Sequence, residues 1–370
     1  MSFLASHFTK ITETGNVTKY VGVEISRNCS TNTLLLHQSQ YVDKLIFNSP
    51  AKDQFPKESP LPESVKFDHL GDSTEPPIRD RVGTYRFLAD RTRPSILEAV
   101  GILGQASHNP SKTHVHGCNH LDRFLLGSKS RGIQLGGPDR CIKLFAYSDE
   151  SYISGATRIG YCFFLRLDSG TIFARSTKSN TVSHSSTESE IKAIDECIRQ
   201  LTWMRAFLAE LGYPQHHPTE IKADNISAIF LADKFQSTNN TAHIVTRLNY
   251  IYQEVAVLKN ISLTYINTEN QVVDILTKLL PVPQFLKLEE LLQYGHHNIS
   301  PQALEKDKNT IKHKIKPFNY KAHHKSKLLK QPSSQLDDPS TLLSNPVSST
   351  RHVRFAPFAD LFIYSIIDNL

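Results

Sequence analysis

The stretch TESEIKAIDECIRQLTWMRAFLAELG, residues 187–212, decides the fold of this chain. Its apolar residues recur every three or four positions, which predicts one long amphipathic helix over Thr187–Leu211. Gly212 follows the last apolar residue, at the place where a glycine commonly ends a helix. The apolar stripe consists of Ile191, Ile194, Ile198, Leu201, Met204, Leu208 and Leu211. This helix is the best-defined element that the sequence predicts.

Shorter elements on both sides of this helix predict the fold class. Upstream, the runs Ile142–Ser148, Gly160–Leu165 and Thr171–Ser176 have the composition of strands. Downstream, the sequence predicts a strand, two helices, a strand and a final helix, in the order Glu220–Ala223, Asn225–Lys234, Ala242–Leu258, Ser262–Asn267 and Gln271–Leu280. Strands followed by alternating helices and strands indicate an α/β layer architecture of about 140 residues.

The rest of the chain differs in composition from this α/β block. An N-terminal hairpin and helix precede a segment rich in proline, and predicted helices follow it up to a glycine-rich break, GIQLGGPDR at 132–140. Beyond Gly295 the apolar periodicity ends, so we expect a basic, low-complexity and disordered tail. The predicted segments are 1–48 (hairpin and helix), 49–79 (linker), 80–131 (helices), 141–283 (α/β domain) and 296–370 (tail).

Composition restricts the class of protein. The 370 residues are 39% hydrophobic and 21% charged, which is compatible with a sizeable core. The five cysteines form no CxxC pair, which excludes a disulfide-framed secreted module and the usual zinc knuckles. We read no signal peptide, and the longest apolar run, Leu361–Ile367, is too short to span a bilayer. We therefore expect a soluble, cytoplasmic protein without membrane contact.

The net charge of +6 is concentrated in the predicted tail. Nine lysines lie within residues 301–330, and only Glu305 and Asp307 oppose them there. The remainder of the chain is close to neutral. The basic character is therefore no indication of a basic binding groove in the folded part.

Four acidic residues occupy similar places in the α/β block. Asp149 follows the first predicted strand, Glu190 lies in the first turn of the long helix, Asp224 follows a later strand and Asp274 lies in the last helix. Acids at such junctions can meet at one edge of a sheet and form an oxygen-only site that suits Mg²⁺ or Mn²⁺. Two such ions about 4 Å apart are the arrangement used for phosphodiester cleavage.

Each of the four acids also has a purely structural interpretation. Thr187 and Glu190 have the spacing of a capping box, and Asp224 could cap the helix that begins at Asn225. Asp274 could interact with a helix dipole, and Asp149 could begin a turn. Taken singly, these structural roles are the commoner ones. The residues alone therefore predict an α/β domain with a candidate metal site.

Several motifs in this block resemble the ribonuclease H domain of copia-type retrotransposon polyproteins. They are YSDESY, IGYCFFL, STKSNTVSHSSTESEIKAIDEC, LTWMRAFLAELG, IKADNISAIFLA and INTENQVVDILTKLLP, in this order over residues 142–281. The resemblance implies a ribonuclease H-like, mixed five-stranded sheet packed by helices. It also implies hydrolysis of the RNA strand of RNA·DNA hybrids.

The resemblance assigns roles residue by residue. Asp149, Glu190, Asp224 and Asp274 match the family's catalytic metal ligands, which would hold two Mg²⁺ or Mn²⁺ ions. Glu188 is the fallback for the helix position, but two residues away on a helix it faces elsewhere.

Upstream motifs resemble the thumb and connection of the reverse transcriptase in the same polyproteins. They are YVGVEISRN, QSQYVDKLIF, YRFLADRTRPSILEAVGILGQASHNPSKTH and LDRFLLGS. The family's tyrosine-x-aspartate-aspartate motif is missing, so we expect no polymerase activity and interpret the chain as a C-terminal fragment of Pol. The expected partners are an RNA·DNA hybrid and full-length polymerase, with nuclear or virus-like-particle association besides the cytoplasm.

Departures from the family pattern leave two hypotheses. Ser95 replaces the aspartate that usually ends the thumb motif, and Val245 replaces an acid in the helix after Asp224. In that helix His243 and Arg247 remain, and both could contact the hybrid backbone. The first hypothesis is a hybrid-cleaving endoribonuclease. The second is a catalytically inactive retroelement remnant that at most binds nucleic acid or assembles with polymerase.

Overall fold

The structure is a computed structural model that describes residues 16–65, 67, 75–138, 141–153, 156–179, 183, 185–234 and 244–295. The predicted tail 296–370 and His243 lie outside the described residues. Among the described residues no helix is both long and apolar enough to cross a membrane.

The first sheet along the chain is antiparallel and has four strands. Its strands are β1 (Lys19–Tyr20), β2 (Val23–Asn28), β3 (Thr33–His37) and β4 (Gly132–Gly136), in spatial order β1-β2-β3-β4. The prediction of a glycine-rich break at 132–140 is wrong, because β4 lies within it. The two glycines allow the pairing, since a Cβ on Gly132 would lie 2.1 Å from the Leu36 carbonyl oxygen, and one on Gly136 would lie 2.2 Å from that of Asn32.

Four helices lie between β3 and β4 in the described part of the chain. They are α1 (Ser39–Phe47), α2 (Arg79–Arg91), α3 (Leu97–Gln105) and α4 (Lys112–Gly127), with a 3₁₀ turn at Pro94–Ile96. The predicted helices in this region are confirmed. The described residues between α1 and α2 contain no helix or strand, but Ala51 and Leu61 among them are buried.

The second sheet has five strands of mixed direction. They are β5 (Phe145–Ile153), β6 (Ala156–Phe164), β7 (Phe173–Lys178), β8 (Thr219–Ala223) and β9 (Ile261–Tyr265), in spatial order β7-β6-β5-β8-β9. The pairs of β6 with β5 and β7 are antiparallel, whereas β8 is parallel to both β5 and β9. This confirms the mixed five-stranded sheet that the resemblance implied.

The long helix covers one face of the five-stranded sheet. It is α5 (Ser186–Glu210), and α6 (Ile226–Lys234) and α7 (Val245–Tyr252) pack beside it, α7 continuing into a π turn at Gln253–Val257. Six of the seven predicted stripe residues are buried against the sheet, and only Leu211, at the end of the helix, is partly exposed. The apolar periodicity of this helix therefore correctly predicts which face of the helix is buried.

The opposite face of this sheet is covered by helices that precede the sheet in the chain and by helices that follow it. Here α8 (Asp274–Thr277) and α9 (Val282–Tyr294) share one apolar core with α1 to α4, and the Phe124 and Phe285 rings lie 5.5 Å apart. The predicted final helix over Gln271–Leu280 is wrong in extent, because only α8 forms within it. Helix α9 was not predicted, although Phe285, Leu288 and Leu292 have helical spacing and prolines at 281 and 283 flank its first residue.

Candidate active site

Three of the four predicted acids meet at one edge of the five-stranded sheet. Asp149, Glu190 and Asp224 each offer a carboxylate oxygen, and these oxygens all lie within 4.8 Å of one another. Strands β5 and β8 are parallel, and their pairing ends at Tyr147 and Lys222. Asp149 and Asp224 each lie two residues further along the chain, so both come to the same edge of the sheet. The first turns of α5 add Glu190 to this edge. We call these three residues the carboxylate cluster.

The prediction that Asp149 closes its strand is wrong. Strand β5 continues to Ile153, because the antiparallel ladder with β6 extends past the end of the parallel ladder with β8. Within this ladder Asp149 lies opposite Gly160, where a Cβ would lie 2.6 Å from both Thr277 Cγ2 and Val273 Cγ1. The glycine therefore lets α8 pack directly against the sheet beside Asp149. Sequence reasoning did not assign Gly160 this role, although a glycine inside a strand is a signal for close approach.

The structure also excludes the capping-box interpretation of Glu190. Helix α5 is capped by Ser185, whose Oγ accepts a hydrogen bond from the Glu188 N–H (3.2 Å). The Glu188 carboxylate, expected as the fallback ligand, forms an ion pair with Lys192 (2.7 Å). The Glu190 side chain is therefore not used for capping and lies in the cluster, where its Oε1 is buried without a hydrogen-bond partner in the described part of the chain.

The cap of α6 is provided by Asn225 and not by Asp224. Asn225 Oδ1 accepts a hydrogen bond from the Ala228 N–H (3.1 Å). Asp224 Oδ2 instead accepts a hydrogen bond from Thr268 Oγ1 (2.9 Å), which orients this carboxylate at the end of β8. Asp224 is the most exposed member of the cluster.

Asp274 lies beside the cluster and is linked to it by a lysine. The Lys278 Nζ is 2.8 Å from Asp274 Oδ1 and 3.4 Å from Asp149 Oδ2. Thr277 Oγ1 donates a hydrogen bond to the same Asp149 oxygen (2.7 Å). Sequence reasoning missed Lys278, although its spacing of four residues from Asp274 is that of a helical ion pair.

The pKa values of the acids reflect burial among like charges. Burial raises the pKa of Asp149 to about 8, with Asp274 and Asp224 adding to the shift while Lys278 and the Thr277 hydrogen bond oppose it. Burial, followed by the charges of Asp149 and Asp224, raises the pKa of Glu190 well above its usual range. An oxygen-only set of ligands that includes an unpartnered buried oxygen of Glu190 fits a hard divalent cation, which would supply the positive charge that this acid lacks.

The two predicted nucleic-acid contacts lie elsewhere or outside the described residues. Arg247, near the start of α7, forms an ion pair with the buried Asp195 of α5, and Arg199 pairs with the same carboxylate at 3.0 Å. His243 lies outside the described residues. The structure therefore gives Arg247 a packing contact between two helices and does not join it to the carboxylate cluster.

Comparison with known proteins gives several matches to transposon polyproteins. The chain is 26% identical over 293 residues, 77% of its length, to the retrovirus-related Pol polyprotein from transposon TNT 1-94 of Nicotiana tabacum. It is 29% identical over 268 residues, 70% of its length, to that from transposon RE2 of Arabidopsis thaliana. It spans only 22% and 18% of these two relatives. Over 132 residues it is 32% identical to the secreted RxLR effector protein 161 of Plasmopara viticola, covering 91% of that protein.

Solved structures give more distant matches, and no family model matches the chain. LC11-RNase H1, isolated from compost, matches 36% of this chain and 91% of its own, with 16% identity and a TM-score of 0.29. A foamy viral protease-reverse transcriptase in complex with double-stranded DNA matches 68% of this chain and 38% of its own, with 14% identity and a TM-score of 0.36. The sequence matches thus relate the chain to part of the retrovirus-related Pol polyproteins of plant transposons.

Proposed function

We propose that this chain contains a ribonuclease H domain that hydrolyses the RNA strand of RNA·DNA hybrids with Mg²⁺ or Mn²⁺ during retrotransposition. The observation that carries the proposal is the carboxylate cluster, in which Asp149, Glu190 and Asp224 offer oxygens within 4.8 Å of one another. The resemblance of the motifs around these residues to the ribonuclease H domain of copia-type elements supports the substrate class.

The cluster has the donor chemistry that such ions need. Carboxylate oxygens are the preferred ligands of Mg²⁺ and Mn²⁺, and the buried Glu190 Oε1 has no hydrogen-bond partner among the described residues. When bound, a divalent ion supplies positive charge to a phosphodiester and lowers the pKa of a bound water. Asp149, Glu190 and Asp224 would hold it.

Neighbouring hydroxyls keep two of these carboxylates in place. Thr277 donates to Asp149 and Thr268 donates to Asp224, so each carboxylate keeps its second oxygen available. Partners of this kind fix the orientation of a metal ligand before the ion arrives. The burial of Asp149 and Glu190 also excludes water from the inner side of the cluster.

One observation favours the alternative of an inactive remnant. The Arg247 guanidinium, expected to contact the hybrid backbone, is paired with Asp195 instead. A chain that has lost this contact could retain the cluster and bind metal without cleaving a hybrid. Only an activity measurement separates the two functions.

The test is a cleavage assay of the full chain on an RNA·DNA hybrid labelled on the RNA strand, with Mg²⁺ or Mn²⁺. We expect cleavage by the wild type and none by Asp224→Asn, which keeps the side-chain shape but loses the charge. Asp43→Asn is the matched control. Asp43 is exposed, it forms an ion pair with Lys129, and neither residue belongs to the carboxylate cluster. Cleavage by Asp224→Asn at the wild-type rate would contradict the site. No cleavage by folded wild type would favour the remnant.

A further inference from the structure

We propose that Lys278 is a built-in cation of this site, which occupies the position between Asp149 and Asp274 and must leave before a second divalent ion can bind there. The inference rests on the proposed function, since it concerns ions at the same cluster. The sequence predicted that four acids hold two ions. The proposal instead gives the first ion an open site and the second ion a site that the Lys278 ammonium group already fills.

The geometry gives Lys278 the place of a shared cation. Its Nζ lies 2.8 Å from Asp274 Oδ1 and 3.4 Å from Asp149 Oδ2, and both carboxylate side chains are only 3% exposed. A divalent ion shared by these two acids would need both oxygens at roughly 2.0–2.6 Å. The ammonium group and such an ion therefore exclude each other.

The first ion site does not have this conflict. The carboxylate cluster includes Asp149, Glu190 and Asp224 but not Asp274, and Glu190 has no basic side chain bonded to it among the described residues. An ion can enter among these three acids while Lys278 keeps its contact with Asp274. Binding should therefore be unequal, with the first ion held more tightly than the second.

The backbone brings Lys278 to this position. Lys278 follows the last residue of α8 in an extended conformation, and its side chain reaches back over the turn to Asp274. Gly160 allows α8 to lie close enough to the sheet for the same ammonium to reach Asp149. The side chain is 32% exposed, so it can swing into solvent when an ion replaces it.

The test counts Mn²⁺ ions bound to the full chain by electron paramagnetic resonance of free Mn²⁺. For the wild type we expect one tightly bound ion and a second that binds at least about tenfold more weakly. For Lys278→Gln we expect the second ion to bind about tenfold more tightly than in the wild type, because no ammonium competes with it. Lys278→Arg should keep the wild-type pattern, and so should the matched control Lys129→Gln, whose exposed lysine pairs with Asp43.

A second measurement shows whether the variant is folded. Without metal, Lys278→Gln should unfold at a lower temperature than the wild type, because Asp149 and Asp274 then face each other without a cation. Bound Mn²⁺ should remove this difference in unfolding temperature. Equal second-ion affinities in folded wild type and Lys278→Gln would overturn the inference and leave the proposed function intact. Two equally tight ions in the wild type would do the same, whereas no Mn²⁺ binding by either protein would overturn both.

Discussion

Glu289 and Glu190 are both buried carboxylates, but their surroundings are opposite. Glu289 of α9 forms ion pairs with Arg93, at 3.7 Å, and with Arg131, and it accepts a hydrogen bond from Ser95 (2.8 Å). Two guanidinium groups therefore face one acid between the N-terminal helices and the C-terminal helix. Glu190 instead lies among other acids at the sheet edge, and no described residue forms a hydrogen bond with its buried Oε1.

The difference separates a structural charge from a functional one. A buried charge is costly unless opposite charges and hydrogen bonds compensate for it, and Glu289 has both. Glu190 lacks this compensation, and such an arrangement is tolerated where a ligand completes it. Ser95, which replaces the aspartate of the family's thumb motif, also has a structural explanation. With serine at this position, Glu289 is the carboxylate that neutralises Arg93 and Arg131.

The largest expected effect comes from breaking the compensated cluster. Glu289→Gln leaves the buried Arg93 guanidinium without its counterion, so we expect the free energy of unfolding to fall by about 3–5 kcal/mol. Urea denaturation of the full chain measures it. Glu290→Gln, at the next and exposed position of α9, is the matched control. Equal stabilities of the two variants would remove the contrast on which the comparison depends.

The second prediction concerns the uncompensated acid. Glu190→Gln removes a buried acid whose ionised form lacks a partner among the described residues, so in the presence of a chelator we expect the free energy of unfolding to rise by about 1–3 kcal/mol. The same change should abolish any stabilisation by Mn²⁺. Glu210→Gln, at the exposed end of α5, should change neither quantity. A loss of stability in Glu190→Gln without metal would show that the protein itself compensates for this charge.

The third prediction concerns pH. Burial raises the pKa of Asp149 to about 8, so the folded, metal-free chain retains a proton that the unfolded chain has lost. This contribution to stability is fully present below the unfolded pKa near 4 and is lost as the pH rises towards 8. Between pH 5 and pH 8 we therefore expect the free energy of unfolding to fall more steeply in the wild type than in Asp149→Asn. Parallel curves for the two proteins would contradict the raised pKa.

The smallest effect is expected at an exposed ion pair. Lys129 and Asp43 are 3.0 Å apart, and both side chains are more than half exposed. Lys129→Gln should therefore lower the free energy of unfolding by no more than about 1 kcal/mol. A loss as large as that of Glu289→Gln would mean that burial is not what separates the two clusters.

Local features of the site could be predicted from the sequence. The apolar stripe placed Glu190 in the first turns of a buried helix, because the periodicity of a helix is a property of consecutive residues. The choice between a capping role and a site role could not be made this way. It depends on Ser185, which caps α5 in place of Thr187.

Contacts between distant residues could not be predicted from local patterns. The pairing of β4 with β3 turned an expected break into a strand, and the Ser95–Glu289 hydrogen bond joins residues 194 positions apart. Helix α9 was missed, although Pro283 lies in its first turn, a place where proline is common at the start of a helix.

By itself, the sequence determined the α/β class, the long helix and its buried face, and the family that the motifs resemble. Only the tertiary structure decided which acids meet, and that Lys278 lies between Asp149 and Asp274. The physical reason is that periodicity and caps depend on neighbours in the chain. The meeting of Asp149, Glu190 and Asp224 depends on how parallel and antiparallel strands end at a common edge of the sheet.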